Sequence, residues 1–140
     1  MSIESTQVLE FALEDERYCV AIEYVAEIVG RDDVTSIPNT PDEIVGAMDL
    51  RGESLTIVDP KVPFGVEGPA DGIRVIVLDE RVGDDSRIGW LVDEVHDVFR
   101  TDPEDPDDLD ESVASDGVYG AFRRDGRLVL WVDPETVIET

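Results

Sequence analysis

A repeat at about half the chain length constrains this sequence more than any other feature. Residues 46 to 60, GAMDLRGESLTIVDP, lie on residues 120 to 134, GAFRRDGRLVLWVDP, without a gap. Six of 15 positions are identical: Gly46/Gly120, Ala47/Ala121, Gly52/Gly126, Val58/Val132, Asp59/Asp133 and Pro60/Pro134. Each copy reads as a hairpin that turns at its second Gly and stops at Asp-Pro. A weaker echo sets residues 18 to 29, YCVAIEYVAEIV, on residues 88 to 99, IGWLVDEVHDVF, where Val25 matches Val95 and the acids Glu23 and Glu27 match Asp93 and Asp97. Both echoes fall at an offset of 70 to 74 residues in a chain of 140. Self-similarity at that period predicts a duplicated β unit, the first copy ending near Phe64 and joined to the second through the turn-rich residues 65 to 72.

Runs rich in Val and Ile, separated by Gly, Pro, Asp or Asn, predict strands at Val8 to Leu13, Tyr18 to Ile22, Leu55 to Val58, Ile73 to Leu78, Ile88 to Val92 and Leu128 to Val132. Their spacing suits small barrels or a sandwich, an all-β fold with short helices. A helical turn or two is expected at Glu23 to Val29. A short closing helix is expected at Asp133 to Ile138, where an N-cap, a first-turn Pro and an early Glu coincide.

Charge narrows the partners. The chain carries 35 Asp plus Glu against 11 Lys plus Arg, a formal −24. Such a surface repels phosphate backbones and anionic lipid, and the ten Arg and the single Lys61 are scattered, with Arg123-Arg124 the only adjacent pair. Disorder does not follow from this acidity. Val, Ile, Leu and Phe make up 43 of the 140 residues, enough for a core. Acid spread along the whole chain, with Arg in place of Lys, reads as adaptation to concentrated salt, as in a halophilic archaeon, because at about 1 M the Debye length falls to about 3 Å. The stretch from Thr101 to Asp110, TDPEDPDDLD, is expected to be a solvated loop.

Candidate chemistry fails on inspection. Cys19 alone makes neither an internal disulfide nor a thiolate zinc site, and it reads as a small core residue. Met1 to Ser5 lacks a basic start and an apolar stretch, and no apolar run exceeds five residues, so a cytoplasmic protein with no direct membrane insertion is expected. His96, the only histidine, has no nucleophile beside it in sequence and reads as a surface side chain. The segment Gly52-Glu53-Ser54-Leu55-Thr56 resembles a nucleophile elbow but has Thr56 where the second Gly is needed. Calcium-loop registers from Asp102, Asp105 or Asp108 put Pro106, Leu109 or Val113 where an oxygen ligand or a Gly is required. Glycine-rich phosphate loops are absent. No catalytic residue, metal ligand or cofactor site is predicted. What survives is a binding pattern: Asp49-Leu50-Arg51-Gly52, a guanidinium at a hairpin tip in a chain poor in cations, and Val25, Ile28 and Val29 beside Glu23 and Glu27.

These residues together resemble the CheW family of chemotaxis coupling proteins from about Val8 to Ile138. The matching signatures are Phe11-x-Leu13 with Glu16-Arg17-Tyr18, Ile22-x-x-Val25-x-Glu27-Ile28, Ile37-Pro38-Asn39-Thr40-Pro41, and Ile44-x-Gly46-x-x-x-Leu50-Arg51-Gly52 with Ile57-Val58-Asp59. In the second half Val92-Asp93-x-Val95-x-Asp97-Val98 and Leu128-x-Leu130-x-Val132-Asp133 also fit. The chain departs from the family at Asp49, commonly Asn, and at Thr56, where many members have Pro.

The resemblance implies two five-stranded SH3-like barrels in one domain over residues 8–138. Residues 1–7 form an N-terminal tail, one subdomain covers about 14–64 and the other about 73–132, and terminal segments complete the barrels. It implies a non-enzymatic adaptor that links the cytoplasmic tip of chemoreceptors to the regulatory domain of a chemotaxis histidine kinase at membrane-associated arrays. Such an adaptor is a monomer in isolation and joins ring assemblies in the array. The implied partner-binding residues are Val25, Glu27, Ile28, Asp49, Arg51, Gly52, Val95, Asp97 and Val98. Two other readings remain open: a coupling protein of another receptor and kinase pathway, and a small acidic β-barrel enzyme or metal-binding protein.

Overall fold

Alternating and doubly apolar runs give strands along most of the computed structural model, which describes residues 6–80, Val82, 87–101, 109–110 and 117–135. In chain order these are β1 (Thr6–Leu13), β2 (Glu16–Ala21), β3 (Val25–Gly30), β4 (Val34–Thr35), β5 (Ile44–Leu50), β6 (Glu53–Val58), β7 (Arg74–Leu78), β8 (Arg87–Val92), β9 (Glu94–Thr101), β10 (Leu109–Asp110), β11 (Val118–Arg124) and β12 (Arg127–Val132). The short helix α1 (Lys61–Phe64) follows β6. All six predicted strands are present. Residues 23–29 differ from expectation. A single 3-10 turn at Ile22–Tyr24 gives way to β3, which pairs with β7 across a bulge between Val25 and Glu27. The apolar spacing of Val25, Ile28 and Val29 suits one helical face, but the extended chain buries Val25 and Val29 against two different cores.

Both repeat copies fold as the same hairpin. The β5–β6 turn runs through Arg51 (φ 51°) and Gly52 (φ 86°), and the β11–β12 turn through Asp125 (φ 51°) and Gly126 (φ 79°). Positive φ at both central residues is the type I′ turn that matches strand twist, which explains the glycines. The ladders also slip at matched places, between Ile44 and Gly46 and between Val118 and Gly120. After each hairpin an Asp carboxylate accepts a backbone N–H two residues on, Asp59 from Lys61 and Asp133 from Glu135, each at 3.0 Å. The predicted closing helix begins at Pro134-Glu135, and its residues 136–138 lie outside the described residues. So does the acidic stretch 102–108, while Leu109 and Asp110 form β10.

The strands make two sheets, ordered β10-β11-β12-β2-β1-β9 and β3-β7-β8-β6-β5-β4. Each holds five strands of five residues or more and one of two residues. The copies exchange partners: β6 runs parallel to β8, and β12 runs parallel to β2. Each sheet therefore takes strands from both halves of the chain.

Among the described residues, three apolar clusters form the core. One lies inside each sheet, around Met48, Leu55, Ile57, Val75, Val77 and Leu91 in the second and around Val8, Cys19, Phe122 and Val129 in the first. The third is shared, with Leu9, Phe11, Leu13, Tyr18 and Val20 from the first sheet meeting Ile76, Leu78, Trp90 and Val92 from the second. Residues 75–78 of β7 and 8–13 of β1 are buried on both faces, so β7 reads as a continuous apolar run and β1 is interrupted only by Glu10, which pairs with Arg17. The result is two β subdomains joined by a common core. Among the described residues, no helix is long and apolar enough to cross a membrane.

Candidate functional site

The type I′ turn lifts Arg51 out of the β5–β6 tip, where its side chain is 66 % exposed and donates to the Glu27 carboxylate on β3. In a flat sheet β3 and β6 would lie about 14 Å apart, three strand spacings, so this contact requires the sheet to curl. Hydrogen bonding from Arg51 holds the Glu27 carboxyl below the usual carboxylate range and raises the guanidinium in turn. Next along the tip, Glu53 pairs with Arg87 on β8 at 3.1 Å. The sequence marks Arg51 and Glu27 as binding candidates, but not Arg87 and Glu53. The signal was available, since Arg17 and Arg87 extend the second echo by one residue and hold equivalent places in the parallel pairings Val129↔Arg17 and Leu55↔Arg87.

The remaining predicted residues fall on the two edge strands and the tip. On β3, Val25 and Ile28 lie opposite Leu78 and Ile76 of the shared core, whereas Glu27 lies opposite Val77 of the inner cluster. Val25 is half-buried and Ile28 is exposed, so the backbone directs Glu27 and Ile28 to opposite faces. On β9, Val95 and Val98 lie opposite Phe11 and Leu9, again on the shared-core side, with Val95 half-buried and Val98 exposed. Asp97 is exposed. Asp49 and Gly52 are exposed at the β5–β6 tip. The structure thus brings Glu27 to Arg51, and sets Val25/Ile28 and Val95/Val98 at equivalent rims of one core. It does not supply Asp97 with an equivalent arginine, because Asp125 stands where Arg51 stands in the other copy. There Arg124 instead lies over the Phe99 ring, 3.8 Å from its centre.

One polar cluster was not foreseen. Lys61, the chain's sole lysine, is buried, and its Nζ donates to Glu14 at 2.5 Å, to Pro69 O at 2.8 Å and to Asp93 Oδ1 at 3.3 Å, with Asp93 Oδ2 3.0 Å away in the same ion pair. Burial pulls the ammonium pKa down, but the hydrogen bonds to Glu14 and Asp93 outweigh it and leave it raised. Burial pushes the neighbouring Asp59 up. Among the described residues, Glu14, Asp71 and Asp93 are the carboxylates close enough to share a metal ion. Lys61 already bonds two of them, so the cation at this place is the chain's own. Cys19 is fully buried, and burial pushes its thiol far up, the state of an inert core residue. His96 is half-buried with Nε2 2.9 Å from Glu94.

Two β subdomains on a shared core, with an ion-paired hairpin tip and apolar edge strands, make this a duplicated β module whose distinctive features are surfaces. Residues 7–140 match the family model for the CheW-like domain, and the chain belongs to the CheW family. It is 34 % identical over 141 residues to the chemotaxis protein CheW of Klebsiella aerogenes, covering 96 % of this chain and 82 % of the relative. With the CheW of Rhizobium meliloti it shares 30 % over 139 residues, covering 94 % and 86 %. The crystal structure of the scaffolding protein TtCheW from Thermoanaerobacter tengcongensis superposes with a TM-score of 0.79 at 27 % identity, covering 97 % of this chain and 94 % of that one.

Proposed function

We propose that this chain is a chemotaxis adaptor that binds the cytoplasmic tip of chemoreceptors and the regulatory domain of a chemotaxis histidine kinase, and couples them without catalysis. Membership of the CheW family over nearly the whole chain carries this reading. Its chemistry suits the part: the two edge strands offer Val25, Ile28, Val95 and Val98 as apolar anchors, and Glu27, Asp49, Arg51, Gly52 and Asp97 supply polar contacts that select partners. Holding both partners raises their effective concentration and lets the state of one bias the other. The adaptor works in the cytoplasm at receptor arrays, as a monomer in dilute solution that enters rings when the array concentrates it. The even acid coat suits a cytosol of concentrated salt, as in a halophilic archaeon.

The test is calorimetric titration of the full chain, in molar KCl, with a purified receptor tip and with a kinase regulatory domain. Binding to both is expected, and binding to neither removes the proposal.

A further inference from the structure

Lys61 sits on α1 directly after β6, in the half of the molecule that carries the β5–β6 tip. Its buried ammonium reaches three other segments. Glu14 lies in the turn between β1 and β2 of the first sheet, Asp93 is the single residue between β8 of the second sheet and β9 of the first, and Pro69 belongs to the stretch between α1 and β7. These segments also hold one another. The Glu14 N–H donates to Asp93 Oδ2 at 2.6 Å, and the Asp93 N–H donates to Ala12 O at 3.1 Å. A Cβ at Gly68 would come within 2.7 Å of the Glu14 carboxyl carbon, and one at Gly72 within 2.4 Å of Val92 O, so the stretch after α1 is drawn tightly over the crossing from β8 to β9. On the other side the Asp59 carboxylate fixes the Lys61 backbone N–H at 3.0 Å.

This cluster stands between the two apolar rims. Val95 follows Asp93 by two residues on β9, with Val98 beyond it. Lys61 follows the end of β6 by three residues, and the β5–β6 hairpin carries Arg51 to Glu27 on β3, beside Val25 and Ile28. Apolar packing in the shared core is non-directional and sets how closely the sheets approach. Hydrogen bonds from one ammonium to groups on both sides also fix their angle, because such bonds have a preferred direction. We propose that Lys61 is a positioning residue for coupling: it holds β9 at a set angle to the β5–β6 hairpin, so that a partner bound at one rim is felt at the other. The role rests on the adaptor reading and adds to it the residue through which the two surfaces communicate. Without the cation, Glu14 and Asp93 repel, the β8–β9 crossing is released from α1, and each rim binds without reference to the other. Lys61 is buried and belongs to neither rim, so the affinity for each partner alone survives.

The test measures the affinity of the full chain for a kinase regulatory domain by calorimetry in molar KCl, with and without a saturating receptor tip. For the wild type the two affinities are expected to differ about fivefold or more, the usual size of coupling between sites. Lys61→Met, held well below its melting temperature, is expected to keep its affinity for each partner alone within about twofold and to bring the ratio of the two affinities close to one. A residue that only stabilises the fold would leave that ratio unchanged in a folded variant. Glu14→Gln, which removes the charge of a partly exposed partner of Lys61, is expected to lower the ratio in the same way and serves if Lys61→Met fails to fold. A wild type that binds neither partner removes the adaptor reading and this role with it. A wild type that binds both with a ratio of one, or a folded variant that couples them as the wild type does, overturns the positioning role alone.

Discussion

Replacing the buried Lys61 with Met removes the cation from a partly exposed carboxylate cluster while keeping most of its packing. All three ammonium protons are used, on Glu14, Asp93 and Pro69 O. Without it, the Glu14, Asp71 and Asp93 carboxylates, whose oxygens lie within 4.8 Å of one another, face each other unneutralised. Breaking a buried pair by deleting one partner costs about 3–5 kcal/mol. Here the side chains of Glu14 and Asp93 are 39 % and 21 % exposed, so water relieves part of the cost, and a loss of about 2–3 kcal/mol is expected. With the urea dependence usual for a small domain, the midpoint falls by about 1–2 M at neutral pH. The pH dependence identifies the cause. The Lys61 pKa is raised, so its contribution is complete below the ordinary lysine value and is lost as pH climbs through the raised one; there the two curves converge. Equal midpoints at pH 7, or a gap that ignores pH, would refute the assigned role of the cluster.

Three further outcomes follow from named contacts. Arg51→Glu keeps the fold, since the tip is exposed, but sets two acids together with Glu27 and is expected to weaken receptor-dependent kinase control; unchanged control removes Arg51 from the site. A Cβ at Gly89 would come within 2.6 Å of Val75 Cγ1 and 3.1 Å of Leu55 Cδ2, so Gly89→Ala should lower stability by about 1–3 kcal/mol by overpacking, read from thermal or urea melts. The thermal midpoint should rise between dilute and molar KCl as repulsion within the acid coat is screened, and a flat or falling midpoint contradicts adaptation to salt.

What the sequence revealed depended on how local each cause is. The hairpins were legible because a Gly at positive φ and an Asp-Pro stop act within a few residues. Strand β3 was not, because its bulge at the Val25–Glu27 step breaks the two-residue period, and only its long-range partner β7 makes it extended. The exchange of strands between copies was hidden for the same reason, as Arg17 and Val129 pair from opposite ends of the chain. At the candidate site, Glu27 and Arg51 were each visible, but their meeting depends on the curl of a sheet. Lysine was conspicuous by its rarity, yet nothing local says that Lys61 is buried.

The central claim is coupling, and the most direct measurement is kinase autophosphorylation in a reconstituted mixture of receptor tips, kinase and this chain in molar KCl. Receptor state is expected to control the kinase when the chain is present, and control is expected to disappear when it is omitted. Kinase activity that follows receptor state equally well without the chain, or ignores receptor state with it, would contradict the account.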